Sequence, residues 1–495
     1  MCGDIEMELV FKSPKAQEKI QELRAFLLSD RWIAVLFCLA GIIVTASSYM
    51  PEAKIEITGT IFFAYIIGFT MVLSNDLMAT LIPFMFTYLI AIRCYDSFDD
   101  FMQYKWFAIP LIPMLLFHII AYWKPLTTKG SQFKPMLFVS ISIILGGIGF
   151  ISPEEYFAPT SIYHMLGLGF GMLFIYAYFY AHISVRKDYS LLDMLTKIMV
   201  AAGCFASFMI IVHYLLNVNA VIDRQGLLFI QWRNNLSTIL MIIMPFAFLM
   251  ASKKPSAIIL GFLFYFALLL TGSRGGMVFG SIEIVMCIVM YMLYDRRRRL
   301  TYVIVILCLA FGFFAFSPQI TEILGYTLDR LFNAINGFLM GESTEVRAIH
   351  YARGINDFLT RPLLGTGLGY MGNRDVHKSV EFALCWYHNE PIQIAASFGV
   401  VGIVAFVYQF IRRNMLIWKK ATLFNMTIFL SYISLEMMSL VNPGILCPLP
   451  YLMLVTLFMV VVEKCDDGEY QEKIYIRKKR EIPKLSKIKE MKEKA

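Results

Sequence analysis

Long uninterrupted apolar runs limit what this chain can fold into more than any other feature of it. From residue 32 onward, runs of about 17–25 residues rich in Leu, Ile, Val, Phe and Met alternate with short polar connections. A helix rises about 1.5 Å per residue, so one such run reaches across the roughly 30 Å of hydrocarbon in a bilayer. In hydrocarbon every backbone group must be paired within the protein, which leaves helices and closed barrels. Barrel strands alternate apolar and polar residues. These runs do not, so they read as helices. Composition agrees: 58% of residues are hydrophobic and 16% charged, where soluble domains have about 45–50% and about 25%.

Fourteen spans are expected, at about 32–49, 57–74, 77–92, 106–123, 135–151, 164–185, 192–216, 234–251, 255–270, 276–294, 301–317, 389–410, 421–441 and 443–463. Twelve is the alternative count, because the third run is short and the connection Ser74-Asn75-Asp76 is tight. The expected fold class is all-α: a polytopic transmembrane helix bundle with a large extracytoplasmic loop that holds short amphipathic helices. Residues 1–31 read as a cytoplasmic N-terminal segment, in which 17–29 (QEKIQELRAFLLS) has amphipathic spacing. Residues 32–463 read as the transmembrane domain, and 464–495 as a cytoplasmic basic tail. No cleavable signal peptide is expected, since the first run follows a polar stretch and no small-residue cleavage site follows it.

The net charge of +8 is a topology signal rather than a nucleic-acid signal, because the basic residues lie between apolar runs and form no domain of their own. Lys124/Lys129/Lys134, Arg186-Lys187, Lys253-Lys254, Arg296 to Arg299, and Arg412-Arg413 with Lys419-Lys420 fall on alternate connections. Both termini share their side, and acidic or mixed loops such as 52–56, 96–100 and 154–155 lie on the other. This pattern places both ends in the cytoplasm. The nine cysteines form no CxxC pair, and Cys38, Cys204, Cys287 and Cys308, inside apolar runs, read as small buried hydrophobes.

One connection differs from the rest. Residues 318–388 make a loop of about 70 residues on the extracytoplasmic side, too long for a plain connector. Within it ITEILGYTLDRLFNAINGFLM and EVRAIHYARGINDFLT read as amphipathic helices, and RPLLGTGLGYMGNRD as a Gly-rich turn region.

Four polar groups fall on that same side. The first is the hairpin Thr271-Gly272-Ser273-Arg274-Gly275-Gly276. An Arg near hydrocarbon costs about 2.5–3.5 kcal/mol on insertion scales, so Arg274 should have a partner or a job; a snorkelling interfacial Arg is the alternative. The second is Asp223-Arg224-Gln225-Gly226 with Arg233-Asn234-Asn235, where arginines near a helix start would suit an anion and an ordinary polar loop is the alternative. The third is Arg347, with Arg353 and Arg361 read as solvated. The fourth is Tyr387-His388-Asn389-Glu390, where His388 at a loop-to-helix junction can exchange protons near neutral pH. His118, His182 and His213, in or near apolar runs, read as packing or interhelical groups. No Cys/His cluster or HExxH points to a metal, and Gly365-Thr366-Gly367-Leu368-Gly369 lacks the strand and helix context of a nucleotide loop. No cofactor and no nucleic-acid partner is expected.

The order of these motifs (TGSRGG, then R…RPLLGTGLG, then HNEPIQIAASFGVVGIVAF) resembles the O-antigen ligase and Wzy-type polysaccharide polymerase family, bacterial GT-C-like membrane glycosyltransferases. The resemblance is specific over about residues 220–410; the first 200 residues match only as an array of spans. It aligns Arg274 with the family's Ser-Arg-Gly arginine, His388-Asn389 with its His-Asn pair, and Arg347 with the Arg ahead of the Pro-Leu-Leu-Gly segment. Arg224, with Gly226 and Asn235, resembles its arginine-loop-asparagine element, with Arg233 as the rival. Where many relatives carry a Glu two residues before a glycine, this chain has Ser397 before Gly399.

The resemblance implies a bacterial cell-surface polysaccharide polymerase in the cytoplasmic membrane that takes glycan from a polyprenyl-diphosphate donor. A ligase that attaches the glycan to a terminal lipid or wall acceptor is the alternative. The implied reaction is metal-independent and inverting. Arg274 and Arg224 would clamp the diphosphate and His388 would act as general base. Arg347, Asn389, Arg233, Ser273 and Asn235 would bind substrate. The implied partners are the lipid-linked donor, a glycan or lipid acceptor, membrane lipids, and a chain-length regulator or flippase. A lipid-linked oligosaccharide transporter is the competing class; it should show broken helices and inverted repeats, and the sequence shows neither.

Overall fold

The computed structural model describes residues 14–49, 55–85, 105–147, 165–183, 190–217, 233–294, 299–318, 344–368, 387–441 and 449–464, apart from positions 28, 84 and 127, together with four single positions between 321 and 332. All regular structure among them is helical. The α-helices are α1 (Pro14–Leu27), α2 (Asp30–Tyr49), α3 (Ile55–Leu73), α4 (Leu111–Ala121), α5 (Phe133–Gly147), α6 (Met172–His182), α7 (Leu191–Leu216), α8 (Arg233–Lys253), α9 (Ile258–Leu270), α10 (Arg274–Tyr294), α11 (Arg299–Ala315), α12 (Thr344–Thr360), α13 (Glu390–Lys419), α14 (Leu423–Ser439) and α15 (Leu449–Lys464). A π-helical turn, Met165–Gly171, leads into α6.

Among the described residues five helical segments are long and apolar enough to cross a membrane: Met165–His182, Leu191–Leu216, Arg233–Lys253, Arg274–Tyr294 and Glu390–Lys419. Shorter apolar helices occupy several of the other expected spans. The third expected span, 77–92, does not begin as a helix. Leu77 to Thr80 form a turn capped by Asp76, whose carboxylate accepts from the Met78 amide at 3.0 Å and the Ala79 amide at 3.4 Å. From residue 86 this run lies outside the described residues.

α8 is the centre of the bundle. It packs against α7, α9, α10 and α14, and 89% of its apolar window is buried against 39% for α10 and α13. All three are apolar, so burial reports position rather than composition. The outward faces of α10 and α13 carry helical stripes of exposed apolar residues, Val278/Ile282/Val285/Val289 and Val400/Val404/Val407/Ile411. Contiguous exposed apolar surface of this kind suits lipid rather than water. The same logic corrects the cysteine reading: Cys287 is buried, but Cys38 and Cys308 are exposed on apolar helices. His118 is interhelical, as read: its ring meets the Met71 carbonyl at 2.7 Å and the Tyr178 hydroxyl at 2.5 Å.

One helix is broken. Inside α13, Gly399 has φ 63° and ψ −158°, a conformation open to glycine and strained for other residues. A break in an apolar helix frees backbone groups that hydrocarbon cannot satisfy. A strap of turns after α12 takes them up. Val400 N–H donates to Pro362 O at 2.8 Å and Val401 N–H to Leu363 O at 3.2 Å. Ala396 O accepts from Thr366 N–H at 2.8 Å, and Ser397 O from Gly367 N–H at 3.2 Å. The strap lies so close that a Cβ on Gly365 would come within 2.3 Å of the Ser397 backbone. The Gly-rich turn region is therefore a splint for α13, and the expectation of unbroken helices is corrected. Gly399 looked like any small residue in an apolar run, because the break depends on a strap more than thirty residues away in the chain.

Candidate functional site

The hairpin between α9 and α10 is built by its own side chains. Thr271 Oγ1 donates to Leu268 O at 2.7 Å and accepts from Ser273 N–H at 3.2 Å. Ser273 is the N-cap of α10, its Oγ accepting from Gly276 N–H at 3.2 Å. The same hydroxyl donates to Asn234 Oδ1 at 2.8 Å, which ties the hairpin to the first turn of α8. Gly276 permits that approach, since a Cβ there would lie 2.4 Å from Ser237 Cβ.

This places two arginines at the starts of two packed helices. Arg274 is the first residue of α10 and Arg233 the first of α8, and both are half-buried. Arg233 Nη1 lies 3.9 Å from the Cβ position of Gly272, so its guanidinium sits over the hairpin turn. A cation at a helix N-terminus is opposed by the helix dipole. Two cations on two adjacent N-termini build a positive spot that an anion relieves.

The His388 junction joins this end of the bundle through α14. Gly275 packs against Val441 and Met438 at the end of α14. Asn389 Nδ2 donates to Leu440 O at 3.0 Å in the same turn, while Asn389 Oδ1 caps α13 by accepting from Ile392 N–H at 3.0 Å. Both ends of the Asn389 amide are thus held by protein. His388 has φ +54°, left-handed and rare for a side chain other than glycine or Asn; such strain costs about 1–3 kcal/mol and concentrates at functional sites.

α12 covers the junction. Tyr387 is fully buried, and its hydroxyl donates to Asp357 Oδ2 at 2.5 Å. The His350 ring lies 5.9 Å from the His388 ring, centre to centre. Burial, and then the Arg353 charge, hold His350 below the ordinary imidazole range. Burial pushes the Asp357 carboxyl up, opposed by the Tyr387 hydrogen bond and by Arg353.

The structure places Ser273, Arg274 and Arg233 at the hairpin, and Asn389 and His388 at a junction that shares the end of α14 with it. Arg347 is on α12 and exposed. Arg224 lies outside the described residues, so Arg233 is the arginine of that pair seen at the hairpin. Asn235 is buried at the start of α8, its carbonyl accepting from Tyr451 at 3.2 Å; its neighbour Asn234, which sequence reasoning did not single out, is the one that meets Ser273. Helical phase separates the two, and a sequence Asn-Asn pair does not reveal it. His350 and Asp357 were also missed, although their spacing of seven on an amphipathic helix puts them on one face. Glu283, a lone carboxyl in the apolar middle of α10, is fully buried opposite Ser434 of α14 and is a second omission that its setting flags. Among the described residues no group of three or more His, Cys, Asp or Glu side chains is arranged to hold a metal ion.

Residues 257–407 match the family model Wzy_C, described as O-Antigen ligase. The matched stretch contains the hairpin, Arg347, the strap, the His388 junction and the break at Gly399, and it lies within the 220–410 region of the resemblance. No curated protein matches the chain.

Proposed function

We propose that this chain, which carries an O-antigen ligase-type domain over residues 257–407, is a bacterial cytoplasmic-membrane glycosyltransferase that moves glycan from a polyprenyl diphosphate to an acceptor hydroxyl at the outer face. The observation that carries the reading is that Arg233 and Arg274 start two packed helices at the end of the bundle that holds the His388 junction. The full count of about fourteen spans, with both termini cytoplasmic, belongs to this proposal. It is supported by the grouping of Lys197, Lys253, Arg413 and Lys464 toward the opposite ends of α7, α8, α13 and α15.

In this scheme the acceptor oxygen attacks the anomeric carbon from the face opposite the diphosphate, and the configuration inverts. His388 takes the hydroxyl proton, a role typically worth about 10²–10⁴-fold. Arg274, with Arg233 or Arg224, binds the departing diphosphate. Guanidinium forks fit phosphate oxygens in pairs and stay charged, so the charge that a metal supplies elsewhere is supplied here by side chains. Arg347 meets the acceptor glycan.

Polymerase and ligase share this chemistry and differ in acceptor. The description of the matched family favours the ligase; the layout of about fourteen spans favours the polymerase. The glycan phenotype of a deletion strain tests the proposal: unpolymerised repeats indicate polymerase, polymer not joined to its anchor indicates ligase, and an unchanged surface glycan overturns both.

A further inference from the structure

We infer that His350 is a positioning residue of the site: its ring stands beside His388 and steadies the imidazolium that forms there until the proton reaches water. The inference rests on the reading of His388 as the base.

The geometry comes from one face of α12. His350, Gly354 and Asp357 are spaced four and three apart, so they share that face. Asp357 pins the Tyr387 hydroxyl at 2.5 Å. Gly354 lets the junction come close, since a Cβ there would lie 2.4 Å from Ile392 Cγ2 and 3.0 Å from Tyr387. Two turns before Asp357, His350 sets its ring 5.9 Å from that of His388, with the planes at 56°. Tyr351, next in α12, places its hydroxyl 3.5 Å from His388 O. The left-handed backbone of His388, φ +54°, turns the residue out of the helix line and toward α12. Without α12, nothing among these contacts would keep His388 in that conformation.

The charge state fits the role. Beside His350, α12 carries the titratable groups Arg347, Tyr351, Arg353 and Asp357, and the junction packed against α12 carries Tyr387, His388 and Glu390. Burial and Arg353 favour the neutral form of His350. A neutral imidazole about 6 Å from a cation attracts it through its ring and lone pair, whereas a charged one would repel it.

The step balances as follows. The acceptor O–H bond breaks, its oxygen forms the bond to the anomeric carbon, and its proton goes to His388. The bond from the anomeric carbon to the diphosphate oxygen breaks, and its electron pair leaves on the diphosphate. The proton stays on His388, whose imidazolium the His350 ring steadies, and then passes to water outside.

The test uses the full chain in membranes, with the host strain's own extracted lipid-linked glycan as donor. His350→Ala and His350→Gln should lower kcat about tenfold to a hundredfold, a part of what a general base supplies, while donor KM stays within a factor of about three. They should also move the acid limb of the pH–rate profile down by about half a unit or more, because the imidazolium of His388 loses its neighbour. His350→Phe, which keeps a ring face, should recover part of the rate. An unchanged kcat, or a lower kcat with an unmoved acid limb, overturns the inference. His388→Ala separates the two levels. If it leaves transfer intact, the proposed function itself fails; if it abolishes transfer while His350→Ala does nothing, only this inference fails.

Discussion

The two ends of the bundle handle charge in opposite ways. At the end away from the hairpin, charges are matched. Lys253 meets Asp193 at 2.7 Å and Lys197 meets Asp30 at 2.9 Å. Arg413, almost fully buried, meets Glu436 at 3.1 Å and lies 4.8 Å over the Tyr432 ring. The Glu463 carboxylate accepts from Ser131 N–H at 2.6 Å, from Ser131 Oγ at 3.0 Å and from Tyr176 at 3.3 Å. These contacts tie helices to one another. At the hairpin end, Arg233 and Arg274 occupy the N-termini of adjacent helices, where the backbone adds positive potential instead of cancelling it. The first arrangement holds helices together. The second sets two cations where the proposed function puts a diphosphate.

The sharpest way to break this contrast is at Arg274. Arg274→Ala should reduce transfer by about 10²–10³-fold or more, the loss typical of a group that stabilises developing charge, with protein abundance unchanged; near-normal transfer in membranes would remove it from the mechanism. His388→Ala comes next. It should lower turnover by about 10²–10⁴-fold with little change in donor binding, and an equal loss of binding would make His388 a binding residue instead.

The opposite end should answer differently. Arg413→Ala leaves Glu436 without its buried partner, and breaking such a pair costs about 3–5 kcal/mol. The measurable effect should be a lower melting temperature and less protein in membranes, with activity per folded molecule preserved. A specific loss of turnover would show that this end is not merely structural.

The smallest effect is expected at Asp357. Its carboxyl is raised, chiefly by burial, so the folded state holds its proton more tightly than the unfolded state does. That contribution is complete below the unfolded pKa and is lost as pH rises through the folded one. Asp357→Asn keeps an acceptor for Tyr387 and removes the buried charge. Melting temperatures should then fall less with rising pH through the carboxylate range than in the parent protein; identical slopes would show that Asp357 does not set this dependence.

Much of the fold was legible because hydrocarbon imposes a simple rule. A run that must pair its own backbone becomes a helix, and its length is fixed by the thickness it crosses. The candidate site was partly legible for a related reason. Arg274, Ser273 and His388 interrupt apolar sequence at the ends of runs, where polar residues are few enough to stand out. His350 and Asp357 did not stand out, because α12 carries many polar residues on its solvent side. Asn234 was hidden beside Asn235 by helical phase alone.

The sequence by itself determined the helical class, the positions of most helices, and the set of cations and the histidine that gather at their ends. Local composition suffices there, since each run meets the same apolar surroundings whatever its neighbours are. Tertiary structure alone decided that Ser273 meets Asn234, that Arg233 lies over the hairpin turn, and that the segment 361–367 splints a helix broken at Gly399. Those outcomes depend on which helices become neighbours and at what rotation. That choice is made by packing between residues far apart in the chain, and no single stretch of sequence contains it.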